Sequence, residues 1–322
     1  MKRKIVCISI LLLVLLCFIF TGCFTMSLLF GDDESSVDDK ITVDTGVMQN
    51  VVKITGDGLE KNGIKVSPGG KSLLYCQYQE NSSVSELILL KDVLSPAKTP
   101  LGVKDVHSFD WYDDNKTFIY SGLDGKMFKL IKSSIDGGGK TYITRNSVGD
   151  DDVGPSLKKN KILCSTTIGG TSQIVCLNDN GTEVTLLTEG SSPCWHPTEN
   201  KFLFVKNATS ICEMDLNSNQ VTELYSDGES KFFNPIYSPD GKYIVFTQYG
   251  SVNISTNKGK GRQTVYRHHL FLMNSDGTNR TQLTSGNVNV WCPAWGMDNE
   301  LFFLSDVGGK EEIWRAKVRI TN

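Results

Sequence analysis

The chain has 322 residues, of which 39% are hydrophobic and 21% are charged, so it contains enough apolar material for an ordinary globular core. Its net charge is −3, and this falls to −6 when residues 1–22 are left out. An acidic chain of this kind offers no broad basic surface to phosphates, so nucleic acid is disfavoured as a partner.

Residues 1–22 have the layout of a secretory signal peptide. The segment MKRK is positively charged, residues 5–20 are almost unbroken apolar sequence, and two small residues precede Cys23. Apolar character continues through residues 26–30, so an uncleaved anchor helix that spans a bilayer is the alternative. Either alternative places the rest of the chain outside the cytoplasm. Residues 23–44 include the acidic stretch GDDESSVDDK and are predicted to be a flexible tether.

A short pattern then recurs about six times. Residues 235–246 read PIYSPDGKYIVF, in which a short strand with an aromatic residue is followed by a Pro-Asp-Gly turn and a second apolar strand. Related segments are KVSPGGKSLLY (65–75), FDWYDDNKTFIY (109–120), PSLKKNKILC (155–164), PCWHPTENKFLF (193–204) and PAWGMDNELFF (293–303). A repeat of this kind determines the whole architecture.

The most complete unit predicts four antiparallel strands. Its strands are expected at residues 235–237, 243–248, 269–274 and 280–284, separated by turns rich in Gly, Asp and Asn. Fourth strands recur at intervals of 37 to 59 residues. Units of about 40 residues with four strands each are typical of β-propeller blades. We therefore predict an all-β, six-bladed propeller over residues 45–322.

The two ends of the repeat region predict how the ring closes. The sixth unit has three strands and no fourth, whereas residues 51–55 look like an isolated fourth strand. Pairing of residues 51–55 with residues 313–318 would complete the sixth blade and remove an exposed sheet edge.

These units resemble the TolB-type propeller repeat, whose features are Pro-x-aromatic-Ser-Pro-Asp-Gly-Lys before an apolar strand and Asp-Gly-x-x-x-x-Leu-Thr after the third. Residues 235–246 and 275–284 match both features closely, and the other five units match in part. The resemblance implies a periplasmic propeller that binds partners of an envelope complex, without a cofactor. The α/β domain that precedes the propeller in TolB is not found here. The segment FTGC is similar to a bacterial lipobox, which implies a lipid on Cys23 and an extracytoplasmic, membrane-anchored protein.

Six cysteines follow the tether, and an exported chain permits disulfides between them. They are Cys76, Cys164, Cys176, Cys194, Cys212 and Cys292. Cys164 and Cys176 are expected on neighbouring strands of one hairpin, as are Cys194 and Cys212. The alternative is that the cysteines are small buried hydrophobic residues, so the pairing stays open.

Loops at one mouth of the channel are the candidate sites, because loops carry function more often than blade strands do. The insertion at 250–267 is basic and is a candidate partner-binding arm. Aromatic residues near the channel supply further candidates. The candidate partner-binding residues are Phe232, Phe233, Asn234, Lys258, Lys260, Arg262, Arg267 and Trp291. Asp150, Asp151 and Asp152 could hold Ca²⁺, although an acidic surface loop is the other interpretation.

We interpret the chain as a monomeric, non-catalytic binding module that takes an envelope protein, a peptide or a glycan. A Gly-x-Ser-x-Gly nucleophile motif is not found in the sequence, which disfavours a prolyl oligopeptidase-type enzyme. The alternative is an extracytoplasmic enzyme that acts on a glycan or a peptide. Two carboxylates beside an aromatic platform would favour that alternative, and a channel plugged by apolar side chains would disfavour it.

Overall fold

A computed structural model describes residues 40–95, 97–124, 127–144, 153–158, 160–255 and 262–320. The regular elements in these ranges are 26 β-strands. Within the same ranges, no helix is long and apolar enough to cross a membrane. The signal peptide, Cys23 and nearly all of the tether fall on residues 1–39, outside the described residues.

Six four-stranded antiparallel sheets follow one another along the chain, and we number them blades 1 to 6. Blade 1 contains β3 (Lys61–Val66), β4 (Leu73–Tyr78), β5 (Ser85–Leu90) and β6 (Lys98–Lys104). Blade 2 contains β7 (Val106–Trp111), β8 (Thr117–Asp124), β9 (Met127–Ser134) and β10 (Thr141–Tyr142). Blade 3 contains β11 (Val153–Lys158), β12 (Lys161–Ile168), β13 (Thr171–Asn178) and β14 (Thr185–Glu189).

The second half of the ring is built in the same way. Blade 4 contains β15 (Ser191–Trp195), β16 (Lys201–Lys206), β17 (Ser210–Asp215) and β18 (Gln220–Tyr225). Blade 5 contains β19 (Lys231–Tyr237), β20 (Tyr243–Ser255), β21 (Arg262–Asn274) and β22 (Thr281–Gln282). Blade 6 contains β24 (Val290–Trp295), β25 (Glu300–Ser305), β26 (Glu312–Val318) and β2 (Met48–Lys53). A separate pair joins β1 (Thr42–Val43) to β23 (Thr284–Ser285).

The six blades form a closed ring, which confirms the predicted six-bladed propeller. The first strand of each blade contacts the first strands of both flanking blades, including β24 with β3 across the join between the ends. Each of six apolar clusters lies between two successive blades, so the core is divided among the blade interfaces. This arrangement buries both faces of each sheet against its neighbours.

The N-terminal strand closes the sixth blade, as predicted. β2 pairs antiparallel with β26, with Met48 opposite Val318 and Lys53 opposite Trp314. The Ile54 amide extends the pairing by donating to the Ile313 carbonyl at 2.7 Å. The pairing begins slightly earlier in the sequence than the predicted 51–55.

The glycines of the repeat motif are required by contacts between blades. Gly241, in the Pro-Asp-Gly turn, has φ +75°, and a Cβ there would lie 2.5 Å from His196 Nε2 of blade 4. Gly277, in the second turn of the same blade, has φ +86°, and its Cβ would lie 2.3 Å from the Leu224 carbonyl oxygen. Positive φ and lack of space both exclude a side chain. The motif therefore describes how one blade fits against the previous one.

The cysteine predictions are only partly confirmed. Cys164 and Cys176 lie on the neighbouring strands β12 and β13, but Cys164 is opposite Val175. Because side chains alternate between the two faces of a sheet, the two thiols point to opposite faces. The expectation that Cys194 and Cys212 share a hairpin is wrong, since β16 lies between β15 and β17. Cys76, Cys176, Cys194 and Cys212 are free thiols.

Candidate functional site

A two-stranded ribbon projects from blade 5 at one mouth of the channel. β20 and β21 have 13 residues each, whereas the second and third strands of blades 1 to 4 have six to eight. β19 begins at Lys231, opposite Tyr249, but the pairing of β20 with β21 continues from Gly250 and Arg267 outward to Ser255 and Arg262. We call residues 250–255 and 262–267 the ribbon. The sequence predicted a lengthened loop here, and the structure shows an extension of the blade's own hairpin.

Aromatic side chains gather around one histidine at the base of the ribbon. The ring of His268 lies 4.7 Å from that of Tyr249, 5.7 Å from that of Phe233 and 6.4 Å from that of Trp291, measured between centroids. The ring of Tyr266 lies 5.6 Å from that of Tyr249 and is 57% exposed. We call these five residues the mouth cluster. They come from β19, β20, β21 and β24, so two blades build it.

The orientation of His268 is fixed by a chain of hydrogen bonds from blade 6. Asp306 accepts from the Asn289 backbone amide at 2.8 Å and from Asn289 Nδ2 at 2.7 Å. Asn289 Oδ1 in turn accepts from the His268 backbone amide at 3.0 Å and lies 3.3 Å from His268 Nδ1. Desolvation by the surrounding rings, followed by the effect of the neighbouring Arg267 charge, lowers the pKa of His268 to about 4, despite the opposing bond to Asn289. The imidazole is therefore neutral at pH 7.

Arg267 is held in place by the loop that leads into blade 6. Its Nη2 donates to Asn287 Oδ1 at 2.7 Å, and its Nε donates to the Asn287 carbonyl at 3.2 Å. A third bond joins Nη1 to the carbonyl of Tyr266. These bonds fix the guanidinium between the ribbon and blade 6, where it braces the base of the ribbon.

Three carboxyl groups with raised pKa values lie on the same side of blades 6 and 1. Burial raises the pKa of Asp306, Glu311 and Glu60, and the charges of Glu60 and Asp306 raise that of Glu311 further. Titratable groups with perturbed pKa values often mark functional sites. Among the described residues, no group of three or more His, Cys, Asp or Glu side chains is arranged to hold a metal ion.

The channel wall carries charge farther along its axis. Lys65 of β3 forms an ion pair with Asp110 of β7, with Nζ and Oδ2 3.4 Å apart. Burial raises the pKa of the Cys194 thiol, and Lys65 and Asp110 are close enough to alter that pKa in opposite directions. These residues belong to the first strands of blades 1, 2 and 4. The described part of the channel is therefore not lined by apolar side chains alone.

The structure brings some of the predicted site residues together and separates others. Phe233, Arg267 and Trp291 meet at the mouth, and Asn234, partly buried, follows Phe233 on β19. Arg262 is exposed at the far end of the described ribbon. Phe232 is 1% exposed and packs against Tyr225 and Phe246 in the core between blades 4 and 5, so it is a packing residue. Lys258, Lys260, Asp150, Asp151 and Asp152 lie outside the described residues.

Sequence reasoning missed the centre of the site. The sequence analysis did not select His268, Tyr249, Asn289 or Asp306. One signal was available: Tyr266 and His268 are two residues apart, and alternate residues of a strand share a face. The partners of His268 come from distant positions and could not be found by spacing.

Comparisons with known proteins agree with the fold, although no family model matches the chain. An uncharacterized protein of Agrobacterium fabrum is 24% identical over 156 residues, which cover 43% of this chain and 53% of that protein. The dipeptidyl-peptidase 5 of Porphyromonas gingivalis is 35% identical over 77 residues, which cover 24% of this chain and 10% of the peptidase. The chain thus matches about half of the first relative and a tenth of the second.

Solved structures match over more of the chain. A candidate TolB from Agrobacterium tumefaciens superposes with a TM-score of 0.57 at 14% identity, covering 85% of this chain and 99% of that one. TolB from Acinetobacter baumannii superposes with a TM-score of 0.58 at 16% identity, covering 77% of this chain and 57% of that one. The chain is a TolB-like propeller in fold. A gluconolactonase from Xanthomonas campestris superposes with a TM-score of 0.61 at 8% identity, covering 87% of this chain and 94% of that one. TolB-like propellers therefore share their architecture with enzymes, and the fold alone does not assign a function.

Proposed function

We propose that this TolB-like propeller is a non-catalytic binding module of the cell envelope, which takes a protein, peptide or glycan partner at the mouth cluster. The observation that carries the proposal is the group of partly exposed aromatic rings around His268, at the foot of a ribbon that projects from the ring. Aromatic side chains are enriched in binding sites because they combine a large contact area with few rotatable bonds.

The rigidity of the site supports binding. Phe233, Tyr249 and Trp291 lie on strands within blades 5 and 6, and the Asn289 and Asp306 bonds hold His268 between them. A site on strands loses little conformational entropy when a ligand binds. The ribbon adds an exposed edge of two strands beside the mouth, which gives a larger partner a second contact surface.

Export and lipid attachment at Cys23 complete the proposal. The apolar leader and the FTGC segment support them, and the acidic stretch after Cys23 supports a tether. Metabolic labelling with a radioactive fatty acid tests this part. The wild-type chain should carry the label and sediment with membranes, whereas Cys23→Ser should carry none and keep its leader.

A pull-down tests the binding function. The full chain with a C-terminal affinity tag is expressed in its own host and solubilised, and bound proteins and glycans are identified by mass spectrometry. Trp291→Ala removes the largest ring of the mouth cluster. In a second variant, Asn-Gly replaces residues 251–266, because Gly250 and Arg267 are paired and a two-residue turn can join them.

We expect one specific partner with the wild type and none with Trp291→Ala. The Asn-Gly variant also lacks Tyr266, so retention by this variant would place the partner on the other four residues of the mouth cluster. Loss would add the ribbon, including Tyr266, to the interface. If all three proteins recover the same material, the partner does not bind at this mouth. If none recovers a specific partner, the binding function fails.

A second candidate function, hydrolysis or elimination on a bound glycan or peptide, is favoured by one observation. Glu60, Asp306 and Glu311 have raised pKa values, and a raised pKa makes a carboxyl group better suited to act as a general acid. Product formation by the wild type, abolished by Glu311→Gln, would establish this function instead.

A further inference from the structure

The proton on His268 can be placed from its neighbours. Asn289 Nδ2 donates to Asp306 Oδ2, so the other atom of that amide is an oxygen and can only accept. This Oδ1 already accepts from the His268 backbone amide at 3.0 Å and lies 3.3 Å from the ring atom Nδ1. Nδ1 must therefore carry the proton and donate it to Asn289. In the neutral imidazole the lone pair then belongs to Nε2.

In this tautomer Nε2 can accept a hydrogen bond but cannot donate one. Among the described residues, no donor lies within hydrogen-bonding distance of it, and the aromatic rings of Phe233, Tyr249 and Trp291 surround the imidazole. A ligand at this point must bring its own N–H or O–H group. It must also present apolar surface to the rings.

We infer that the mouth cluster binds a neutral sugar ring, which stacks on Trp291 and Tyr249 and donates a hydroxyl hydrogen bond to His268 Nε2. The C–H groups on one face of a pyranose pack against an aromatic ring, and its hydroxyls lie at the edge, where a fixed acceptor can reach them. The inference rests on the proposed binding function and names its ligand class.

Other ligand classes fit less well. An anion such as a phosphate needs donors, but His268 Nδ1–H is committed to Asn289, Arg267 is committed to Asn287, and the carboxylates nearby repel it. A cation would meet the fixed positive charge of Arg267 beside His268. A neutral sugar ring can donate a hydroxyl to Nε2 and pack against the aromatic faces. It needs no further donors and is not repelled by the charge of Arg267.

Titration with defined oligosaccharides tests the inference. The full chain is purified in a zwitterionic detergent, because a maltoside or glucoside detergent would itself present sugar rings. Cellotetraose, chitotetraose and maltotetraose are added up to about 5 mM, with tryptophan fluorescence and calorimetry as the readouts. Three variants are compared: Trp291→Ala, His268→Phe, which keeps a ring but has no acceptor, and Tyr142→Ala. Tyr142 is an exposed aromatic residue on blade 2 and serves as the matched control.

We expect at least one tetrasaccharide to bind the wild type and Tyr142→Ala equally, and to bind Trp291→Ala and His268→Phe about tenfold or more weakly. His268→Phe keeps an aromatic ring in the cluster. Weaker sugar binding by this variant, together with an unchanged unfolding midpoint, therefore supports the role of His268 as an acceptor. Equal binding by all variants would overturn the site.

Failure of the inference can be told apart from failure of the proposed function. If no tetrasaccharide binds but the pull-down recovers a Trp291-dependent protein, the sugar inference is wrong and the binding module stands. If a tetrasaccharide binds and is cleaved, the sugar inference stands and the non-catalytic function is wrong.

Discussion

Lys61 and Glu312 form a buried ion pair across the join between the first and last blades, with Nζ and Oε2 2.8 Å apart and side chains 0% and 3% exposed. Thr55, which follows the closing strand, donates its hydroxyl to the same carboxylate at 2.5 Å, and Gly58 donates its amide at 2.9 Å. The Lys61 ammonium also contacts Asp57 at 2.5 Å. The closing strand and both terminal blades thus share one network of charges.

Lys61→Met should destabilise the protein by about 3–5 kcal/mol, because it leaves the carboxylate of Glu312 buried without its cation. Urea unfolding followed by circular dichroism measures the loss. The matched control is Lys98→Met, since Lys98 also pairs with Asp57 but its side chain is 26% exposed. That control should cost about 1 kcal/mol or less. Equal losses for the two variants would mean that the network does not hold the ring closed.

Gly277→Ala should destabilise the protein more than Gly228→Ala does. Both glycines have positive φ, +86° and +77°, so both substitutions strain the backbone by about 1–2 kcal/mol. A Cβ at Gly277 would also lie 2.3 Å from the Leu224 carbonyl oxygen, whereas nothing lies within 4 Å at Gly228. Urea midpoints of the two variants separate the clash between blades from the strain. Indistinguishable midpoints would contradict the packing role of the repeat glycine.

Acid should weaken the fold through His269, which is 3% exposed. Burial, followed by the His268 and Arg267 charges and against a backbone bond to Gly286, lowers the pKa of His269 to about 4. Between pH 6.5 and pH 4, His269 is protonated in the unfolded chain but neutral in the folded chain. The contribution of His269 to the free energy of unfolding is therefore complete above pH 6.5 and is lost as the pH falls to 4. The loss amounts to about 3 kcal/mol.

His269→Leu removes this titration while keeping an apolar side chain of similar size. The difference in unfolding free energy between the variant and the wild type should therefore change by about 3 kcal/mol between pH 7 and pH 4, in favour of the variant. Comparing the two proteins cancels the opposite trend from Glu60, Asp306 and Glu311, whose pKa values are raised. A constant difference across this range would show that His269 is not desolvated.

The ring could be predicted because its determinants repeat along the sequence. The Pro-Asp-Gly turn that holds Gly241 against blade 4 has counterparts in other units, and the unpaired segment near Val51 has one possible place in a closed ring. The position of the ribbon was predicted correctly, but its strands were not predicted, because the polar residues of the insertion are typical of a loop. Phe232 and Phe233 looked alike in the sequence, but adjacent residues of a strand point to opposite faces, so Phe233 lies at the mouth and Phe232 lies in the core.

The mouth cluster could not be predicted in the same way. His268 obtains its function from Asn289 and Asp306, which lie on the next blade, and from Tyr249 on the paired strand. None of these positions has a fixed spacing from the others in the repeat. The folded propeller brings these residues together, and burial of the imidazole lowers the pKa of His268 so that it is neutral at pH 7.

Sugar binding, if it uses His268 Nε2 as an acceptor, should have an unusual pH profile. The titratable or charged groups beside this imidazole are Tyr249, Arg267 and His269. Tyr266 stacks on Tyr249, and Asp306 acts through Asn289. Burial raises the pKa of Tyr249 above its usual value near 10, so Tyr249 stays neutral below pH 8. Because the pKa of His268 is lowered to about 4, affinity should stay constant from pH 8 to pH 5 and fall as the pH approaches 4. An exposed histidine acceptor would instead lose affinity near pH 6.5.

Calorimetric titration of the wild type at half-unit steps of pH measures the profile, with the protein's far-ultraviolet circular dichroism recorded at each step to confirm that it remains folded. His268→Gln supplies the matched variant, since its amide oxygen can accept a hydrogen bond but does not titrate. That variant should keep part of the affinity and lose the fall near pH 4. A midpoint near pH 6.5 in the wild type would show that the ring is protonated in the folded protein, and the neutral acceptor would then be wrong.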